Sequence, residues 1–183
     1  MTAEMIFGIL LAGLLSNNYA LLHFLGTGAV IENERSGKHS LVIGFGTTIV
    51  MVVSTVITWP LQAYLLQNVP YLRTLVFVIV VLLVVEAIHL LVGTGLEGLY
   101  EVDFTKFAIN GAVLGLCIHN TELPYGEAIL TAAAVGIGFT LTMAMFPSIR
   151  QKVEESSVPK AFRGLPVTLL CAGMVALTLL SYG

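Results

Sequence analysis

The sequence predicts an all-α integral membrane protein, with six transmembrane helices in two inverted three-helix repeats. Three observations lead there: the apolar composition, the spacing of long apolar runs, and a repeat at half the chain length. Of 183 residues, 57% are hydrophobic and 10% charged, with a mean hydropathy of +0.94. Soluble domains carry about 25% charged residues. A chain with so few charges cannot cover a water-facing globule, so lipid must solvate most of it. The formal net charge of −3 argues against a nucleic-acid partner, because phosphate neutralisation needs clustered Lys and Arg. Both cysteines, Cys117 and Cys171, lie in apolar runs, which excludes a secreted disulfide framework.

A helix crossing the hydrocarbon core needs about 20 mostly apolar residues. That length places spans at Met5–Ile31, Ser40–Leu66, Leu72–Val92, Phe104–His119, Ala128–Phe146 and Leu165–Tyr182. The first reads as a span and not a cleaved signal, since it has no basic leading region. Runs such as Val76–Val85 are apolar at every position, which excludes the alternation of a β-barrel strand. Arg35, Lys38, Lys106, Arg150, Lys152, Lys160 and Arg163 fall on one side of a six-span chain, and only Arg73 on the other. The positive-inside rule then makes the loops after spans one, three and five cytoplasmic and turns both termini outward.

The repeat appears on shifting the chain by 92 residues. Asn18-x-Ala20-x-Leu22 falls on Asn110-x-Ala112-x-Leu114, Gly44-x-Gly46-x-Thr48 on Gly136-x-Gly138-x-Thr140, and Met51 on Met143. The expected repeats are residues 1–92 and 93–183 of a single membrane domain. Three spans per half force the second copy to lie upside down relative to the first, the inverted-repeat architecture in which function gathers at the midplane. Spans one and four carry Asn17-Asn18 and Asn110-Gly111 in their interiors. Asn and Gly are poor helix formers, so both spans are expected to break into half-helices.

Several polar groups lie at membrane depth. Glu86 and His89 are three residues apart on one face of span three and read either as an ion relay or as an interfacial pair. His23, beyond the Asn pair of span one, is a candidate ligand, against the commoner outcome of a packed histidine. His119 and Asn120 end span four and read as interfacial. Thr47, Thr48, Thr140 and Thr142 can bond back to the preceding turn or line a path, and the first is the ordinary outcome. Gly44-x-Gly46 and the small residues from Ala132 to Gly138 permit close helix approach. Cys117 and Cys171 lack metal-ligand spacing and read as packing residues.

The stretch from Asn17 to Gly26, Tyr71-Leu-Arg-Thr-Leu75, Asn110-Gly-Ala-Val-Leu-Gly115 and Val158-Pro-Lys-Ala-Phe-Arg-Gly164 together resemble the integral membrane subunits of Rnf and Nqr electron-transport complexes. The last motif, with Ala172-Gly173-Met174 after it, is similar to the A-type branch (Rnf A/Nqr E). The resemblance covers nearly the whole chain. It implies a protein of the prokaryotic inner membrane, in a complex coupling electron flow between ferredoxin and NAD to Na⁺ or proton movement. It further implies a pseudosymmetric heterodimer with a homologous E-type subunit. A 2Fe–2S cluster would be shared between the two at the midplane, with further subunits bound on both membrane faces. Flavins and other iron–sulfur clusters belong to those partner subunits.

Each partner in the family supplies one cysteine from each broken span. Here the two ligand positions are Gly28 and Gly111, which have no side chain to hold iron. Asn18 and Asn110 are polar residues in the same spans, and His23 and Cys117 are candidate substitute donors. At about 1.5 Å rise per residue, each lies roughly 8–9 Å from the lost ligand along a continuous helix. The acidic residue of span three is also displaced relative to the family, standing at Glu86 with His89 after it. Two other functions compete: a divergent paralogue that scaffolds another membrane oxidoreductase, and a small inverted-repeat secondary transporter.

Overall fold

The structure, a computed structural model, describes residues 3–16, 37–96, 110–154 and 164–180, together with Pro159 and Phe162. Among these residues there are helices and turns and no strand. Helix α1 (Ala3–Leu11) widens into a π turn at Ala12–Ser16, directly before the Asn17-Asn18 pair. Helix α2 (Gly37–Leu61) contains Pro60 and is followed by a second π turn at Gln62–Leu66. Proline removes one backbone donor and crowds the turn before it, yet the helix continues through Pro60 and changes geometry only beyond Leu61. A short turn at Pro70–Leu72 leads into α3 (Arg73–Leu96). Helix α4 (Gly111–Asn120), α5 (Tyr125–Glu154) and α6 (Leu165–Leu180) complete the described chain.

Three stretches are long and apolar enough to cross a membrane: Ser40–Leu66, Pro70–Leu91 and Tyr125–Ile149. They correspond to expected spans two, three and five. Helix α5 passes through Pro147, just beyond the expected end of its span, and runs on to Glu154. Its last turns carry Gln151 and Lys152, both exposed, so water can solvate the helix beyond the proline. By contrast α4 has 10 residues, about 15 Å of helix, half of what a roughly 30 Å hydrocarbon core requires.

The centre of the molecule is the packing of α2 on α5. Ile43, Val50 and Met51 of α2 are buried with Val135, Phe139 and Met143 of α5. Helix α3 adds Phe77, Val81, Val84 and Val85, and α4 adds Val113, Leu116 and Cys117. Outside this core the helices present leucine, isoleucine and phenylalanine to their surroundings, among them Phe45, Ile49, Leu83 and Leu91. Water would penalise such a surface; lipid does not.

Where α2 and α5 cross, the two helices touch through glycine. A Cβ on Gly44 would lie 2.8 Å from Thr140 Cα, and one on Gly136 would lie 3.0 Å from Thr48 Cα. Thr48 and Thr140 hydroxyls then meet at 3.0 Å across the crossing. The contact is reciprocal: each glycine receives the threonine four residues beyond the other. Met51 and Met143, the next matched pair, are both buried. The π turn after α1 is joined to α5 by glycine as well, its Gly13 backbone pressed against Ala134 and Gly138.

Candidate functional site

Of the positions singled out in the sequence, Asn18, His23 and Gly28 lie outside the described residues. Most of the rest lie at the start of α4, at the α2–α4 contact, on the outer face of α3 or where α2 crosses α5. Asn110 has an extended backbone (φ −96°, ψ 103°) and caps α4, its Oδ1 accepting from Ala112 N–H at 3.0 Å. Gly111 is the first helical residue, so a helix begins at the break expected for Asn110-Gly111. Short polar side chains compete with the backbone for hydrogen bonds and are favoured at caps for that reason. Asn110 is buried, and its Nδ2 has no partner among the described residues. Removing the cap with Asn110→Ala should lower stability by about 1 kcal/mol. Thermal unfolding of the purified chain measures this.

Cys117 faces the interior from α4, 1% exposed, within hydrogen-bonding reach of the Thr58 and Thr55 hydroxyls of α2. It is a packed thiol at a helix–helix contact, in keeping with its apolar setting in the sequence. Cys171 is a free, half-buried thiol on α6. The structure does not bring the two cysteines into a common ligand set among the described residues.

Asn120 departs from the interfacial position that the sequence suggests: it is 1% exposed. Its Nδ2 donates to the Ala128 carbonyl at 3.1 Å and lies 3.4 Å from Thr55 Oγ1. The turn after α4 folds straight back into α5, which closes over the amide. Trp59 holds that turn down: its Nε1 donates to the Leu123 carbonyl at 2.8 Å, and its ring packs on Tyr125 with centroids 4.9 Å apart. His119, the neighbour of Asn120, is exposed as expected.

Glu86 and His89 pair across one turn of α3, with Nδ1 and Oε2 at 3.9 Å. The pair points outward: Leu83 and Leu90 on the same stripe are 64% and 67% exposed, while Val84 and Val85 face the core. The four threonines behave as expected. Thr47, Thr48, Thr140 and Thr142 each donate to the carbonyl four residues earlier, at 2.9 to 3.0 Å.

Sequence reasoning misses the polar end of α2. Ser54, Thr55 and Thr58 are fully buried, and Gln62 follows one turn later. The recurrence of Ser54, Thr58 and Gln62 at every fourth residue is the available signal, since it places them on one helix face.

Comparison with known proteins bears on what this arrangement serves. The model of the family described as "Rnf-Nqr subunit, membrane protein" matches residues 6–183. The A-type subunit of the ion-translocating oxidoreductase complex of Syntrophotalea carbinolica is 32% identical over 181 residues, covering 95% of this chain and 94% of that protein. Its counterpart in the Na⁺-translocating ferredoxin:NAD⁺ oxidoreductase complex of Acetobacterium woodii is 29% identical over the same length and shares. The corresponding protein of Sodalis glossinidius is 29% identical over 175 residues, 92% of this chain and 91% of that one.

Proposed function

Because this chain belongs to the Rnf-Nqr family of membrane subunits, we propose that it is the A-type membrane subunit of an Rnf-type ion-translocating electron-transport complex. The observation that carries this is similarity over 95% of the chain to proteins that are themselves A-type subunits of such complexes. In this reading the chain spans the prokaryotic inner membrane six times, with both termini outside. It pairs with a homologous E-type subunit. Two inverted halves of three spans each make up the single membrane domain. The Lys and Arg distribution supports the orientation. The reciprocal glycine–threonine contact between residues 92 apart supports the inverted repeat, because an internal twofold axis brings equivalent positions together.

The 2Fe–2S cluster associated with the family does not fit the residues of this chain. Iron–sulfur clusters of this type are held by four thiolates. Gly111 opens α4 with no donor, and Gly28 offers none either. Cys117 lies six residues, roughly 9 Å of helix, from Gly111 and is committed to the contact with α2. The chain therefore contributes a scaffold at this point and no thiolate, and Glu86 and His89 are assigned to its outward face. An assembly scaffold suits a protein whose broken spans need a partner to cover exposed backbone.

Purification through a tag on this chain tests the proposal. Rnf-type flavin and iron–sulfur subunits and an E-type relative should accompany it, and Cys117→Ser should leave the iron content and iron–sulfur EPR signals unchanged. Recovery of the chain alone would remove the subunit reading. Loss of a signal on Cys117→Ser would show that this thiol ligates metal after all.

A further inference from the structure

Three oxygen atoms are left without partners along the last turns of α2, the π turn that follows it and the end of α4. Among the described residues, Ser54 Oγ, Asn120 Oδ1 and Gln62 Oε1 are buried and make no hydrogen bond. Ser54 and Asn120 are 0% and 1% exposed. An orphaned buried polar atom forfeits its hydrogen bonds to water and gains none in return. Three of them spread along roughly 12 Å of helix, from Ser54 to Gln62, point to a guest. The amide orientation of Asn120 is fixed by the Ala128 carbonyl, which needs its Nδ2 as donor, so the free atom is the oxygen. Beside the orphans stand two more oxygens: Thr55 Oγ1, near Asn120 Nδ2, and Thr58 Oγ1, which spends its proton on the Ser54 carbonyl at 2.8 Å. Both keep lone pairs to offer.

We propose that Ser54, Thr55, Thr58, Gln62 and Asn120 form a binding path for a dehydrated monovalent cation between α2 and the half-helix α4. Three features select that guest. All the unpartnered atoms here are oxygens, the ligands hard cations take. The set is neutral, with no carboxylate to balance a divalent ion. Ser54, Thr58 and Gln62 recur every four residues on one face, about 6 Å apart along the axis. The oxygens thus form a file leading toward the end of α2, where Trp59 meets the turn after α4. A role of this path in ion translocation rests on the function proposed above; cation binding itself does not.

The test uses the full chain purified from membranes in detergent, with whatever subunits accompany it. Thermal unfolding is followed as Na⁺ replaces choline at constant ionic strength. The parent should gain stability with a saturable Na⁺ midpoint. Ser54→Ala and Gln62→Met remove oxygens that have no partner, so both should be as stable as the parent in choline, or more so. Each should raise the Na⁺ midpoint at least tenfold. If Ser54→Ala fails to fold, Gln62→Met decides. A parent indifferent to Na⁺, or variants with an unchanged midpoint, would overturn the proposal and leave ordered water as the guest. Neither result depends on whether the redox subunits are present.

Discussion

Gly136→Leu is expected to abolish stable accumulation of the chain, and Gly44→Leu to do the same. A Cβ at position 136 would already stand 2.5 Å from Thr48 Cγ2 and 3.0 Å from its Cα; at position 44 it would stand 2.8 Å from both Thr140 Cα and Cγ2. Backbone atoms cannot rotate away as a flexible side chain can. Overpacking a fitted core costs about 1–3 kcal/mol and occasionally more. Here the added atoms would force α2 and α5 apart along their whole crossing, which puts the cost at or above the upper end. Thr48→Val and Thr140→Val provide the scale. Each removes the 3.0 Å hydroxyl contact between the helices, and interhelical hydrogen bonds in membranes average about 0.6 kcal/mol. The glycine variants should therefore exceed the threonine variants several-fold in thermal unfolding. The doubly substituted Gly44→Ala/Gly136→Ala chain should lose less than the sum of its parts, because both substitutions act on one helix separation. A neutral Gly136→Ala would mean that the crossing is looser than described.

Lipid makes some features of this chain plain in its sequence. Spans must be long, apolar and fully hydrogen-bonded within themselves, so the bounds of α2 and α3 can be read to within a few residues. The start of α4 is legible for a local reason, since Asn110 can cap a helix and Gly111 weakens the turn before it. Gly44, Gly136 and Gly138 can be read as close-packing positions, because small residues at helix spacing have little other use in lipid. Which helix each one meets is a matter of tertiary geometry, and only the match of residues 92 apart hints at it.

The burial of Asn120 is not legible. A polar residue ending an apolar run reads as interfacial until the turn at Thr121–Pro124 is seen folding back and Trp59 seen clamping it. The outward direction of Glu86–His89 is hidden for a similar reason. Spacing of three places two groups on one face, but in an evenly apolar helix such as α3 nothing in the pattern tells the core face from the lipid face. The polar file on α2 is masked in another way, since Ser and Thr in a span are ordinarily absorbed by the preceding carbonyl.

The second large effect concerns activity. A membrane subunit whose helices hold its neighbours in register should be indispensable even though it carries no thiolate at Gly28 or Gly111. Removing it should abolish electron transfer and ion movement together and not merely slow them. Inverted membrane vesicles from the parent strain should reduce NAD⁺ with reduced ferredoxin and accumulate the coupling ion as they do so. Vesicles lacking this chain should lose both to background. The wild-type gene should restore both, and Gly136→Leu neither. Full ferredoxin-dependent NAD⁺ reduction and ion uptake in vesicles lacking the chain would contradict its assignment to an Rnf-type complex.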